Sequence, residues 1–526
     1  MEMRQNLSSF MGIDGFCLIF IPVLLFLCKL HIMKKVNVRE NVQAGIIYDR
    51  NMQKGNDQIF TPDKYVEDML DRIGYVKNLV GKTVLENSCG QGNILVPIVN
   101  RYIKDAKIQG LSDKCIAESL SQNIIGFEID KEQREKCIEY LDRTCSFAGI
   151  ENVQWNILNQ DFLAYKSSEM KASFIVGNPP YITYHDMTEE ERKYLKEHYE
   201  VCRKGRFDYC YAFIEASINA LKPDGKMIYL IPFSIFRNRY ARELRKYVVD
   251  GMTGVVDLSG ERVFPGITCS VAFLLYEKGK YSDEILYEEN ETGIKSLIQK
   301  SRLCENNKKW VFQKVEDGEE QFGNYFNVCN SVATLLNEAF LIKPTKEDDR
   351  FFYVEKQKVE KEICLRAIST KSEKKQSEEK QYIIFPYKRE EGEICKYREE
   401  EFRRLYPHAY GYLRQFEEKL KDRKSDKNAQ WFEYGRSQAL KELWKDKLVL
   451  PMVITRQARA YRGDESTVPY AGYFITQKKD AGYTLDDAVR ILQSAEFYQY
   501  VKMVGTPTTE TSYRISVNDI EQYRFK

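Results

Sequence analysis

The sequence predicts an α/β protein with a doubly wound, mostly parallel sheet, followed by a mixed α+β region. Short apolar runs alternate with helical stretches from about Lys82 to Lys278, which is typical of strands joined by crossover helices. Acidic residues stand at the ends of three of these runs. Because ligands bind at the carboxyl ends of parallel strands, the sequence also predicts a ligand site at that edge of the sheet.

The first predicted strand ends in the tight turn of KTVLENSCGQGN, and a helix begins near Asn93. A second strand, Asn123–Asp130, precedes a segment with apolar residues at helical spacing. Further strands are predicted over Val153–Leu163 and in ASFIVGNPPY. The stretch DYCYAFIEASINALKPDGKMIYLIP is predicted to form a helix, a turn and a strand, and ITCSVAFLLYEK is a further β-rich run.

After about Lys280 this alternation fades, which predicts a second domain. The polar and charged segment Ser369–Gln381 is predicted to be a solvated loop or linker. The stretch EFRRLYPHAYGYLRQFEEKLKDRKS is mainly helical in pattern, and mixed aromatic, basic and β-rich segments run to the end. We expect three parts: an apolar segment over 1–32, a first domain over 33–285 and a second domain over 286–526.

The composition is that of a folded protein, with 526 residues, 43% hydrophobic and 30% charged. The formal net charge is only +2, so any surface for nucleic acid has to be a local basic patch. The 13 cysteines include no CxxC pair, which indicates reduced thiols and not a disulfide framework or a zinc site. Four histidines leave few candidates for a histidine base or several histidine metal ligands.

The N-terminal region contains the apolar stretch Phe16–Cys28, followed by Lys29, Lys34 and Lys35. It is shorter than the ~20 residues of a membrane-spanning helix unless the preceding residues join it. Three interpretations stay open: translation that begins at Met33, a single membrane anchor with the remaining chain in the cytoplasm, or a buried helix.

Three successive strand ends carry residues suited to one nucleoside-like ligand. The first has Glu86 in a turn with Gly90 and Gly92, where glycines let the backbone approach a ligand. The second ends in Glu128-Ile129-Asp130, where an acid suits a ribose diol and Asp130 alternatively caps a helix. The third ends in Asp161-Phe162, an acid beside an aromatic ring. The three ends together are more specific than any one of them.

The fourth strand runs into Asn178, two prolines and Tyr181. Two consecutive prolines cannot continue a strand, so this corner is stiff. Asn-Pro pairs also mark ordinary turns, and the motif alone does not decide between these interpretations.

In this order the motifs resemble those of gamma-class N6-adenine DNA methyltransferases, the TaqI-like methylases of restriction–modification systems. QIFTPDKYVEDML resembles their N-terminal cofactor motif, and VLENSCGQGN, GFEID, NQDF and GNPPY follow in the family's order. The resemblance covers about Gln58 to Lys278 and implies a class I, Rossmann-like fold that uses S-adenosylmethionine. One departure is Asn87, where the family often has proline, and we expect it to change only the stiffness of the loop.

The resemblance implies a role for each matching residue. The side-chain oxygen of Asn178 and the carbonyl of Pro179 accept the two hydrogens of the adenine amine, in a direction that Pro179 and Pro180 fix. Tyr181 stacks on the flipped base, and Phe264 forms the opposite wall unless it is an ordinary hydrophobic residue. The residues implied for S-adenosylmethionine are Thr61, Glu86, Cys89, Gly90, Gly92, Glu128, Ile129, Asp161 and Phe162.

Within the cofactor set, Glu86 and the Gly90–Gly92 loop hold the methionine part with help from Thr61, and Glu128 takes the ribose. Ile129 packs on the adenine of the cofactor, and Asp161 with Phe162 reads its edge.

Three basic clusters are candidates for phosphate contacts: Arg203–Arg206, Arg237–Arg242 and Thr455–Gly463. Each is alternatively an ordinary solvated face. Trp431–Leu440 and Ser512–Ile520 resemble, more loosely, segments of the family's target-recognition domains.

We therefore expect an adenine-specific DNA methyltransferase of a restriction–modification or phage-defence system, acting on double-stranded DNA in the cytoplasm without a metal. A fused nuclease is not expected, and a separate restriction endonuclease is the expected partner for cleavage. Two alternatives stay open: a methyltransferase on RNA or protein glutamine, and a non-catalytic DNA-binding specificity subunit.

Overall fold

The computed structural model describes residues 60–165, 167–266, 269–305, 309–313, 318–375, 380–390 and 393–526. The apolar stretch Phe16–Cys28 and the alternative start Met33 lie outside the described residues. Among the residues that are described, no helix is both long and apolar enough to cross a membrane.

The first part of the chain is built on a nine-stranded sheet with the order β3-β2-β1-β4-β5-β7-β6-β8-β9. The strands from β3 to β5 are parallel, whereas β7 runs antiparallel between β5 and β6. The strands are β1 (Val84–Glu86), β2 (Ile124–Phe127), β3 (Asn156–Leu158), β4 (Ala172–Gly177), β5 (Leu221–Pro232), β6 (Met252–Asp257), β7 (Val271–Glu277), β8 (Glu284–Glu289) and β9 (Ile294–Gln299).

Helices accompany this sheet as the alternating sequence pattern predicts. They are α1 (Asp63–Arg72), α2 (Leu95–Ile108), α3 (Asp113–Asn123), α4 (Lys131–Phe147), α5 (Glu189–His198), α6 (Tyr209–Ala220), α7 (Ser234–Arg237), α8 (Arg242–Val248) and α9 (Lys300–Glu305). Asp130 caps α4 by accepting hydrogen bonds from the amides of Glu132 and Gln133, so the alternative role foreseen for it holds. The predicted doubly wound α/β fold class is confirmed.

The central strands are apolar because they are covered on both faces. β4 is buried at five of its six positions, and a hydrophobic core with Phe127, Phe162 and Tyr229 packs around the central strands. Three strands of the sheet, β6, β8 and β9, were not foreseen as separate elements. The expected domain boundary at 285/286 falls inside β8, and the sheet continues to Gln299; the division into domains stays a prediction.

The remainder of the chain is mixed α+β, with several small sheets and two hydrophobic cores. Its helices are α10 (Phe322–Tyr325), α11 (Asn337–Phe340), α12 (Thr370–Lys375), α13 (Glu399–Leu405), α14 (Pro407–Arg414), α15 (Glu417–Lys421), α16 (Leu485–Gln493), α17 (Ala495–Val504) and α18 (Val517–Glu521).

Its strands are β10 (Glu320–Gln321), β11 (Phe326–Asn330), β12 (Leu341–Ile342), β13 (Lys346–Glu347), β14 (Phe351–Val354), β15 (Gln357–Glu360), β16 (Cys364–Ile368), β17 (Tyr382–Ile384), β18 (Tyr387–Glu390), β19 (Glu393–Lys396), β20 (Lys447–Leu450), β21 (Val453–Thr455), β22 (Tyr461–Gly463), β23 (Thr467–Pro469), β24 (Tyr473–Gln477), β25 (Thr506–Thr509), β26 (Ser512–Arg514) and β27 (Arg524–Phe525). The linker predicted for Ser369–Gln381 is wrong at its start, because α12 forms there and the hydroxyl of Ser369 bonds with those of Ser372 and Tyr470.

Candidate active site

The Asn178 corner lies at the carboxyl end of β4, between the ends of β1 and β5. The side-chain amide nitrogen of Asn178 donates to Thr61 Oγ1 at 3.2 Å, and Ser88 Oγ donates to the Asn178 carbonyl at 3.3 Å. The side-chain oxygen Oδ1 is buried and accepts no hydrogen bond from any described residue. Thr61 thus fixes the amide so that its acceptor oxygen is available for a ligand that donates hydrogen bonds.

Tyr181 follows the two prolines, and its hydroxyl donates to the carbonyl of Leu230 in β5 at 3.0 Å. Burial raises the pKa of Tyr181 well above its ordinary value, so the hydroxyl stays a hydrogen-bond donor. This bond ties the Tyr181 side chain to β5, and stacking on a base stays a prediction for it.

Phe264 is only 1% exposed. The loop that carries it is joined to α1 through Glu261, because the hydroxyl of Tyr65 donates to Glu261 Oε2 at 2.8 Å. The structure therefore places Phe264 in a packed loop and does not present its ring to solvent; a wall of the base pocket stays a prediction for it.

Glu86 ends β1 and is 2% exposed. Its Oε2 atom has no hydrogen-bond partner in the part of the chain that the structure describes. Burial raises the pKa of Glu86 well above its ordinary value, and the nearby Cys89 and Glu128 add to the shift, whereas the Leu95 amide opposes it. A buried carboxylate of this kind fits a cationic group such as the amino group of a methionine moiety.

The turn after β1 uses glycine for two different reasons. Gly90 has φ +51°, and a Cβ built there would meet no atom within 4 Å, so its surroundings are open. Gly92 has φ +90°, and a Cβ there would lie 2.9 Å from Cys137 Sγ in α4. Cys89 is buried, and its amide donates to the Phe127 carbonyl at 2.9 Å, which joins the turn to β2. Open space at Gly90 fits the close approach of a ligand.

Glu128 and Ile129 follow β2. The two carboxylate oxygens of Glu128 accept the amides of Gly90 at 2.8 Å and Asp130 at 2.9 Å, which orients the carboxylate beside the Gly90 turn. Ile129 is 72% exposed, unusual for a large apolar side chain and suited to packing against the flat face of a ligand.

Asp161 and Phe162 differ in placement. The Asp161 carboxylate accepts the amide of Leu163 at 2.9 Å and caps a short 3₁₀ turn, Phe162–Ala164. The ring of Phe162 packs edge-on against Phe127, with ring centres 5.2 Å apart, in the hydrophobic core. The structure thus brings the Asp161 carboxylate, but not an exposed Phe162 ring, to the edge of the sheet.

Two partners of the site were missed in the sequence. Asn87 Nδ2 donates to Ser217 Oγ in α6 at 2.8 Å, and Ser217 Oγ shares a hydrogen bond with Tyr229 OH in β5 at 2.6 Å. This buried chain anchors the residue that departs from the family pattern. No local signal marks Ser217, because its partners are more than ten residues away in the sequence.

The three basic clusters have different surroundings. Arg237 is buried and donates to the Trp310 carbonyl, and burial lowers its pKa to about 10, so the predicted phosphate contact is wrong for this residue. In the Thr455–Gly463 cluster, Arg462 pairs with Asp486, whereas Arg456 and Arg459 are exposed. Within the described ranges, no group of three histidine, cysteine, aspartate or glutamate side chains is placed to hold a metal ion.

Comparison with known proteins finds similarity to methylases of restriction–modification systems. Residues 77–264 match the family model of the Eco57I restriction-modification methylase. The type II restriction enzyme and methyltransferase RM.Eco57I of Escherichia coli is 24% identical over 525 residues, covering 82% of this chain and 52% of that protein. The type II methyltransferase M.BstVI of Geobacillus stearothermophilus is 25% identical over 421 residues, covering 71% of this chain and 73% of its own.

A solved structure shares the fold over most of the chain. The type IIL restriction-modification enzyme MmeI, determined in complex with DNA, matches with a TM-score of 0.56 and 13% identity, over 88% of this chain and 64% of its own. The family model and the two relatives confirm the resemblance to the methylases of restriction–modification systems. The chain spans about half the length of RM.Eco57I.

Proposed function

We propose, because residues 77–264 carry an Eco57I-type restriction-modification methylase domain, that this chain is a site-specific adenine DNA methyltransferase. It transfers a methyl group to the exocyclic N6 amine of an adenine flipped out of double-stranded DNA. Its biological role is modification in a restriction–modification or phage-defence system, carried out in the cytoplasm. RM.Eco57I combines restriction and methylation in one protein; for this chain we propose that cleavage comes from a separate endonuclease.

The observation that carries the proposal is the unpartnered, buried Oδ1 of Asn178 in a corner stiffened by two prolines. The lone pair of an adenine amine is delocalised into the ring, which makes the nitrogen a poor nucleophile. Asn178 Oδ1 and the Pro179 carbonyl accept the two amine hydrogens and favour a pyramidal nitrogen. Because Thr61 and Ser88 hold Asn178 from both sides, the Asn178 acceptor oxygen is oriented before the base arrives.

The cofactor proposed for this site is S-adenosylmethionine, which supplies a methyl group on a sulfonium. The residues at the sheet edge fit it: Glu86 has a buried carboxylate oxygen for the amino group, and Gly90 leaves open space. Glu128 is oriented by backbone amides for a ribose, and Ile129 offers an exposed apolar face. Tyr181 stacks on the target base and offsets part of the cost of flipping it.

Replacing Asn178 with Ala tests the proposal. Loss of one prearranged hydrogen-bonding group typically lowers kcat by about 10²- to 10³-fold, and we expect a loss of that size in methyl transfer to duplex DNA. Binding of S-adenosylmethionine and of DNA should stay within a few-fold of wild type. Asn100→Ala, an exposed asparagine on α2, is the matched control and should keep full activity.

The assay follows transfer of radiolabelled methyl groups from S-adenosylmethionine to duplex DNA, RNA and protein in parallel. Sequencing of genomic DNA from cells with and without the gene then locates N6-methyladenine and the recognition sequence. Transfer to RNA or protein alone would overturn the DNA assignment. An Asn178→Ala protein with unchanged phenotype would instead favour a non-catalytic binding subunit.

A further inference from the structure

Two of the basic clusters become neighbours in the fold, although more than 30 residues separate them in the sequence. A Cβ built on Gly205 would lie 3.0 Å from the ring of Tyr240, so the 203–206 loop packs against the segment after α7. The Arg239 guanidinium lies 4.6 Å from the centre of the Tyr240 ring and donates to its hydroxyl at 2.6 Å. We call the exposed cations Arg203, Lys204, Arg206, Arg239 and Arg242 the basic surface.

None of the five cations of the basic surface has a carboxylate within 4 Å among the described residues. Elsewhere on the sheet domain, exposed cations commonly have such partners: Arg143 pairs with Glu139, and Lys131 with Glu135 at 3.8 Å. Arg239 donates to the hydroxyl of Tyr240, and the charges of Arg239 and Arg206 lie close by, which together lower the pKa of that hydroxyl. In a chain with net charge +2, five cations without carboxylate partners in one place form a concentrated positive field.

The basic surface adjoins the Asn178 corner on two sides. The amide of Tyr209 donates to the Ile182 carbonyl at 2.9 Å, and the rings of Phe207 and Tyr184 meet edge to face, 5.4 Å apart. The 203–207 loop is therefore packed on the residues that directly follow Tyr181. The second half of the surface follows β5, the strand whose Leu230 carbonyl binds the Tyr181 hydroxyl.

We propose that the basic surface binds the phosphates of the duplex next to the nucleotide that enters the Asn178 corner. This proposal rests on the proposed function, since it names the surface on which that substrate is held. Guanidinium groups bind phosphate through paired hydrogen bonds, and such contacts fix the position of a duplex without reading its sequence. The expected ligand is the sugar–phosphate backbone, and the expected signature is a strong dependence of DNA affinity on salt.

The test compares the salt dependence of DNA binding between two quadruple variants with the same change in net charge. One variant is Arg203→Gln/Arg206→Gln/Arg239→Gln/Arg242→Gln. The control is Lys77→Gln/Lys104→Gln/Lys107→Gln/Arg143→Gln, four exposed residues. They lie before β1, in the second half of α2 and near the end of α4.

The probe is a fluorescein-labelled duplex of mixed sequence, titrated in KCl between ~50 and ~200 mM. The slope of log K against log[KCl] is negative, and each lost phosphate contact makes it less steep by about 0.9. Four lost contacts therefore make it less steep by about 3.6. The control should keep the wild-type slope. Both variants should bind S-adenosylmethionine as wild type does and should have the Tm of wild type, which shows that they fold.

If wild type methylates DNA while the basic-surface variant keeps the wild-type slope, the surface assignment falls and the proposed function stands. An equal loss of slope in both variants would also overturn the assignment, because it would show an effect of net charge alone. A wild-type protein that binds no duplex at the lowest salt would overturn both proposals.

Discussion

Replacing Glu86 with Gln is expected to stabilise the ligand-free protein and to weaken its binding of S-adenosylmethionine. Glu86 is 2% exposed, and its Oε2 atom has no partner among the residues described. The ionised Glu86 carboxylate therefore destabilises the ligand-free fold, whereas it favours the binding of a cationic ligand. Gln keeps the size of the side chain but removes the charge, so the two measurements should move in opposite directions.

The expected magnitudes follow from the burial. A charge-assisted hydrogen bond contributes about 1.5–3 kcal/mol, so its loss should raise the Kd for S-adenosylmethionine about 10- to 150-fold. Removing the buried charge should stabilise the ligand-free fold by about 1 kcal/mol. This is the lower end of the penalty for an unsatisfied buried group, and we use it because the Gln amide is itself partly without hydrogen-bond partners. That gain corresponds to about 2–4 °C in Tm for a domain of 150–250 residues.

The pH dependence has a definite sign. Burial raises the pKa of Glu86, so its contribution to stability is fully present below the ordinary value of 4.5 and is lost as the pH rises through the raised pKa. Cofactor binding needs the ionised form, so wild-type affinity should increase with pH over the same interval. Both dependences should flatten in Glu86→Gln.

Isothermal titration with S-adenosylmethionine and thermal unfolding, each from about pH 5 to 9, measure the two effects; the range extends above the ordinary glutamate pKa. A Glu86→Gln protein that is less stable without ligand and binds the cofactor as tightly as wild type would refute the reasoning. Glu135→Gln, an exposed residue of α4, serves as the control and should change neither measurement.

Four further substitutions address the corner and the turn. Tyr181→Phe should lose only the bond to the Leu230 carbonyl, about 0.5–1.5 kcal/mol of stability, and keep methyl transfer within a few-fold. Tyr181→Ala should also lose about 1–3 kcal/mol of stacking, seen as weaker binding of a duplex with a mismatched adenine. Gly92→Ala should lower Tm, because Cβ would meet Cys137 Sγ. Gly90→Ala should lower Tm less than Gly92→Ala does, since only its positive φ is strained and no atom lies close, and it should weaken cofactor binding; a lower Tm for Gly90→Ala than for Gly92→Ala would contradict this.

The sequence was informative where the signal is local. Pro179 and Pro180 end a strand wherever they stand, and a glycine turn after an apolar run predicts the end of β1. β8 and β9 form a local antiparallel hairpin that was not foreseen; its attachment to the sheet depends on the parallel pairing of β8 with β6, a distant partner that a short window does not contain.

Burial of polar side chains was the main quantity that the sequence did not reveal. Arg237 stands in a basic cluster but is enclosed by Trp310 and Phe312, which follow it by more than 70 residues. In the same way, the acceptor that orients Asn178 is Thr61, 117 residues earlier. Thr61 was predicted only as a helper for the cofactor. Such pairs become visible once the sheet brings the strand ends together.

The bond between Tyr65 and Glu261 bears on how this protein is produced. It tethers the loop before Phe264 to the first turn of α1, which begins at Asp63, two residues before Tyr65. A shortened chain that starts after Tyr65 would lose this tether and also Thr61, so the loop before Phe264 and the Asn178 side chain would each lose a hydrogen-bond partner. Truncated versions intended for crystallisation should therefore begin upstream of Thr61.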